Sequence, residues 1–386
     1  MMRMIRILAC AGVAAWLAGA VAPAHAEETW DETVKNTLST WWDAARVRTR
    51  LVMQNPVTIN MCWASDKNAL VADPAIVAGF QKIPGNEKIV VNFARDASGT
   101  LLGSGDIMTQ WESGKLDCAT VSPDASILGL RSAKWNAADQ TMYASSMVIG
   151  VVNPQAAEVL GKLYHKDPKS LTFADLVNAA GKNWSELAPD NADVGSWGTV
   201  KGHATDCTRS ASCQVVAVAL AYSTSGTGNK TGRELGDPKV KEVMDSYRQK
   251  LDHSEGSTGR LTQKCFLNPV DCDFFFTYES QISNIEKQIP GAIVVYNDQV
   301  IPADQVVLVT TTDPAQKEAA IRFIEHIMSD PIQKLIAEKY GFRPGRVVDV
   351  QGPVQKLKML RLNIVRKPNP ILVKAVLARV TEPATH

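Results

Sequence analysis

Short apolar runs that end in a polar, often serine-bearing loop and then pass into a helical pattern recur along these 386 residues. This alternation limits the fold more than any other feature. Val57–Trp63 is apolar and gives way to Ala64-Ser65-Asp66, with a helix expected over 67–81. Residues 88–94 form a second apolar run, followed by Asp96-Ala97-Ser98-Gly99-Thr100. A helix at 107–113 and a third run at 116–121 lead to Ser122. Strands that alternate with helices specify parallel sheets covered on both faces. Further strands are expected at 143–152, 194–200, 273–278 and 292–296. Helices are expected at 169–180, at 214–222, and at 314–328 and 331–339.

The N-terminus reads as an export signal. Arg3 and Arg6 precede an apolar stretch at 7–21, and Ala24-His25-Ala26 is a small-residue cleavage site, with cleavage expected after Ala26. The apolar stretch is short for a membrane span, and the expected location is the periplasm. Removing 1–26 removes two cations and no acids, so the 41 Lys+Arg become 39 against 40 Asp+Glu. That balance argues against nucleic acid as a partner. It also removes Cys10 and leaves six cysteines: Cys62, Cys118, Cys207, Cys213, Cys265 and Cys272. An even number in an exported chain suggests disulfides. Closeness in sequence favours Cys207–Cys213 and Cys265–Cys272, which leaves Cys62–Cys118. There is no CxxC, and no metal or cofactor is expected.

So long a mature chain exceeds what one core usually serves. The expected organisation is a signal peptide (1–26), a helical leader (27–56), a first lobe (57–144 and 299–345), a second lobe (145–298) and a basic extension (346–386). The candidate ligand groups share one placement. Ser65, Ser98, Gly99, Thr100, Ser122, Ser210, Ser212, Tyr278 and Glu279 stand just past the carboxyl end of an expected strand, where open α/β sheets bind ligands. The loop at 202–213 carries Arg209 among its hydroxyls and opens into an apolar helix, whose N-terminus suits an anion. Each of these residues is also an ordinary cap or loop residue when taken singly.

In order and spacing these stretches resemble the type II periplasmic substrate-binding proteins of ABC transporters, closest to the molybdate/tungstate/sulfate-like extracellular solute-binding group. The resemblance rests on Ala97-Ser98-Gly99-Thr100-Leu101, on Tyr143 to Gly150, on Gly202 to Ser212, on Tyr278-Glu279 and on Gly341-Phe342-Arg343-Pro344. It departs from the group at Cys207, Ala211 and Cys213. It implies a doubly wound, two-lobed α/β fold with a hinge, a monomer, and an oxyanion held between the lobes for an inner-membrane ABC permease. Asp66, Asp96, Asp206 and Glu279 stand beside the proposed donors. A carboxylate turned inward would instead suit a ligand that itself donates, such as protonated phosphate or an organic solute.

Two other classes compete. GxSxG and HExxH are absent, and His203 is the only histidine placed as a base, so a hydrolase has little to stand on. A sensor or envelope scaffold built on the same lobes would use the N-terminal tryptophans and the basic tail as docking surfaces.

Overall fold

The computed structural model describes residues 55–97, 99–124, 140–225, 236–350, 364–365 and 369–381. The export signal, most of the leader and most of the basic tail lie outside them. Ten strands form one continuous sheet: β1 Val57–Trp63, β2 Ile89–Phe93, β3 Thr120–Ser122, β4 Gln140–Val152, β5 Gly202–Thr205, β6 Asp252–Glu255, β7 Phe274–Tyr278, β8 Ile293–Val295, β9 Pro302–Val309 and β10 Arg343–Pro344. The order is β2-β1-β3-β9-β4-β7-β5-β6, with β8 and β10 also on β4. β1 pairs in parallel with β2 and β3, and β5 does so with β6 and β7, while every partner of β4 is antiparallel. The architecture is mixed α/β, as expected.

β4 organises the molecule. Its residues Gln140 to Met147 pair with β9, whereas Val148 to Val152 pair with β7. The two largest of the hydrophobic cores lie along these two stretches. Around β1, β2 and the first part of β4, Trp63, Phe80, Tyr143 and Phe323 are buried with Ile59, Met61 and Ile336. Trp63 stacks on Tyr143 at 5.1 Å. Burying rings of this size contributes roughly 1.5–3 kcal/mol each. Helices Pro314–Ile327 and Asp330–Glu338 turn their apolar stripes to this core.

The second core surrounds the helix Ala211–Thr224, in which every residue from Ala211 to Tyr222 is buried. A helix that is apolar all round must be enclosed by other elements. Here Phe173, Trp184, Tyr247, Phe274 and Phe276 enclose it. The helix Pro370–Thr381 adds Leu372, Val373, Val376 and Leu377 to the same core.

Local chemistry sets the element ends. Thr172 and Asp175 form a capping box on the helix Phe173–Ala179. The helix expected at 67–81 is broken into Asn68–Val71 and Val77–Gln81. Pro74 has no N–H to continue the ladder, and Asp73 accepts from the Ala75 N–H at 2.8 Å. The strand expected at 194–200 is a turn of helix, Ala192–Gly195, followed by loop, and β5 begins at Gly202. Val194 and Val200 are buried as anchors of that loop. The sulfurs join as Cys62–Cys118, Cys207–Cys213 and Cys265–Cys272. No described helix is long and apolar enough to cross a membrane.

Candidate binding cleft

The chain leaves β1 at Trp63 and turns through Ser65–Lys67. Two backbone hydrogen bonds and one to a side chain hold this turn. Ala64 N–H donates to the Ser122 carbonyl, Ser65 N–H to that of Leu102, and Asn68 Oδ1 accepts from Leu101 N–H at 3.1 Å. The turn at 96–100 thereby lies beside the end of β1. Gly99 closes that turn at φ +77°, a conformation that a side chain disfavours.

From the other half comes the helix Thr258–Leu267, capped by Ser257. Its start abuts the β1 turn, and a Cβ on Gly259 would lie 3.3 Å from the Ser65 carbonyl oxygen. Between them lies a cavity of about 340 Å³. Ser65, Asp66, Asn68, Ala69 and Thr100 line it from the first half. Thr258, Gly259, Arg260, Thr262, Gln263, Phe266, Thr277, Tyr278 and Gln281 line it from the second.

The two halves are tied around the cavity. Arg260 pairs with Asp96, and Arg209 pairs with Asp106 at 2.9 Å. Gly105 N–H donates to the Arg209 carbonyl at 2.8 Å. A Cβ on Gly105 would stand 2.4 Å from that oxygen, so this approach requires glycine. Tyr278 donates its hydroxyl hydrogen to Asp124 across the same boundary.

A buried ionic group lies at this boundary. The side chain of Lys67 is wholly buried and donates to Asp66 Oδ1 at 2.8 Å. The Asp66 side chain is 5% exposed, and its Oδ2 has no hydrogen-bond partner. Asp124 is buried, with Oδ1 likewise unpartnered. Burial pushes the Asp124 carboxyl from 3.8 up to about 7; the Tyr278 hydroxyl and Lys67 oppose the rise, and Asp66 and Asp304 add to it. Burial also drives the Tyr278 and Tyr143 hydroxyls well above their usual value, so both stay protonated.

The sequence candidates separate into groups. Ser65, Thr100 and Tyr278 line the cavity. Ser122 is buried, its hydroxyl 3.1 Å from that of Tyr143. Ser210 and Ser212 also turn inward: Ser212 Oγ lies 2.9 Å from Thr205, 3.1 Å from Ser210 and 2.6 Å from Thr258. Only Thr258 of this set reaches the cavity wall. Arg209 is spent on Asp106, and Gly99 is an exposed turn residue off the wall. Ser98 lies outside the described residues. Glu279 is buried against Arg343 in two contacts of 2.6 and 3.0 Å and accepts from Tyr296 at 3.1 Å. Of the other acids beside the donors, Asp206 caps its own turn through Thr208, Asp96 holds Arg260, and Asp66 alone is on the wall. Both ring nitrogens of His203 are engaged, one with Asp252 at 3.1 Å and one with the Asp271 carbonyl at 2.7 Å.

Sequence reading did not single out Lys67, Asp124 or the wall residues from Thr258 to Phe266, although it did name Tyr278. The Ser257-Thr258-Gly259 step into a helix was a usable signal, because it repeats the polar loop before a helix seen after β1.

A mixed sheet in two halves, with one strand serving both and a polar cavity walled by each, is the architecture of a solute-binding protein. The chain belongs to the bacterial extracellular solute-binding protein family, whose profile matches residues 60–343. No curated sequence matches significantly. Among solved structures, the substrate-binding protein of an Agrobacterium tumefaciens ABC transporter is similar at TM-score 0.56 and 13% identity, covering 85% of this chain and 94% of that one. The sulfate-binding protein SubI of Mycobacterium tuberculosis gives 0.54 and 16%, covering 80% and 93%. Apo ferric ion-binding protein A of Pasteurella haemolytica gives 0.54 and 12%, covering 86% and 100%. These likenesses show the type II periplasmic binding fold.

Proposed function

We propose that this chain is the periplasmic receptor of an ABC importer, and that it captures one small solute between two lobes in the cavity at Ser65, Thr100, Thr258 and Tyr278. One observation carries this reading: a single cavity draws its wall from the strand ends of both halves. A ligand touching both halves favours the closed arrangement, and it can do so only by its difference in affinity for closed and open forms. The lobes are 57–144 with 299–345, and 145–298. The protein acts as a monomer, binds rather than catalyses, and delivers to an inner-membrane permease after removal of residues 1–26.

A second reading, a tetrahedral oxyanion such as molybdate, tungstate or sulfate, is favoured by the hydroxyls of Ser65, Thr100 and Thr258 on the wall beside a helix N-terminus. Titration of the mature protein with molybdate, tungstate, sulfate and phosphate, followed by tryptophan fluorescence, tests it. Trp63 ends the strand that leads into the cavity, so a bound ion should change its emission. Saturable binding of one ion supports this second reading. Flat titrations for all four remove it.

A further inference from the structure

The cavity wall is amphoteric. Asp66 brings a carboxylate, and Arg260, whose guanidinium is already shared with Asp96, brings positive charge at the start of the helix Thr258–Leu267. The N–H groups of Thr258 and Gly259, in the first turn, have no helix carbonyl within reach, and the helix dipole adds positive character there. A ligand's anionic group is stabilised at that place.

Asp66 asks for the opposite. Its carboxylate is nearly sealed from solvent, Lys67 occupies Oδ1, and Oδ2 has no partner. A buried acceptor without a donor is costly, and a fully ionised oxyanion, which only accepts, cannot relieve it. The acids nearby, Asp66, Asp124 and Asp304, outnumber the buried cation Lys67, which offsets only part of their charge. The charge of Asp66 helps raise the Asp124, Tyr143 and Tyr278 groups, and Asp304 acts on Asp124 in the same sense. A cationic donor is favoured over a neutral one.

Size and the remaining wall indicate carbon. About 340 Å³ is the share of liquid occupied by about ten waters, more room than a bare tetrahedral oxyanion fills. Phe266 and Ala69 offer apolar surface, while Asn68, Gln263 and Gln281 offer amides that can both donate and accept.

We infer that the solute is a small amino-carboxylate, which brings its ammonium to Asp66 and its carboxylate to Arg260 and the helix start. The inference rests on the cleft being the solute site and adds the class of solute.

Calorimetric titration of the mature protein tests it. The panel is the common α-amino acids, ω-amino acids, their des-amino counterparts, sulfate, molybdate and phosphate. The expected result is saturable binding of an amino-carboxylate, with its des-amino analogue at least tenfold weaker. In Asp66→Asn the remaining oxygen still accepts from Lys67, but an N–H₂ replaces Oδ2. Affinity for the amino-carboxylate should fall about 10- to 100-fold, the usual effect of losing a hydrogen bond to a charged group. The des-amino analogue should change little. Arg260→Gln, as a second variant, should weaken both. Preference for sulfate or molybdate, or an unchanged amino-carboxylate affinity in Asp66→Asn with normal thermal unfolding, overturns the inference. Asp66-dependent binding of phosphate alone overturns its organic half. Silence from every solute, organic and inorganic, would sink the cleft reading itself.

Discussion

Asp124→Asn isolates the energetic cost of placing a carboxyl at the junction of the two halves. In the folded chain this group is buried, accepts from Tyr278, and titrates at about 7 rather than 3.8. Below pH 3.8 the folded and unfolded states both hold its proton, and well above 7 neither does. Between those limits the folded chain binds more protons than the unfolded one, so stability falls as pH rises through that window. A displacement of about three pH units, at 1.36 kcal/mol each, is worth about 4 kcal/mol. Asn keeps an acceptor for the Tyr278 hydroxyl and cannot ionise. Urea unfolding of wild type and variant at pH 4.5, 6, 7 and 8 supplies the comparison. The wild type should lose about 3 kcal/mol of this relative to the variant between pH 4.5 and 8, with most of the loss complete by pH 7. Curves that stay parallel would show that Asp124 is not the titrating group, and the argument from its burial would fail.

Gly105→Ala should push the Arg209 backbone away, since the added Cβ would sit 2.4 Å from its carbonyl oxygen; weaker solute affinity with an unaltered circular dichroism spectrum is expected. Arg343→Ala strands the buried Glu279 carboxylate, and denaturant unfolding should report a loss of about 3–5 kcal/mol. Cys62–Cys118 spans 56 residues whereas Cys265–Cys272 spans 7. On the chain-entropy account, replacing the first pair with Ser costs about 4 kcal/mol and the second about 2, a gap that paired urea curves resolve.

How much of this was legible in the sequence depended on apolar patterning. β1, β2, β4 and β7 are marked by apolar runs, and their loops carry the expected hydroxyls. β6 is Asp-His-Ser-Glu, with no apolar run to mark it, so the helix that follows it and half of the cavity wall went unnoticed. Ser210 is the N-cap residue of its helix, yet it makes no side-chain capping bond and faces Ser212 instead. A propensity cannot foresee this, because the competing hydroxyl partner Thr258 stands 48 residues away from Ser210 in the chain. Lys67 misleads in the same way. A lysine four residues beyond a strand reads as solvated, and only the packing of both halves around it explains its burial beside Asp66. The disulfide pairing was legible because short cysteine spacings left one pair over.

β4 carries a consequence for any attempt to dissect the protein. One unbroken ribbon of thirteen residues is ladder partner to β9 along its first stretch and to β7 along its second. Severing it at Met147 would leave raw hydrogen-bonding edges on both fragments, neither with a complete sheet of its own. The two halves share this ribbon as a spine and should melt as one.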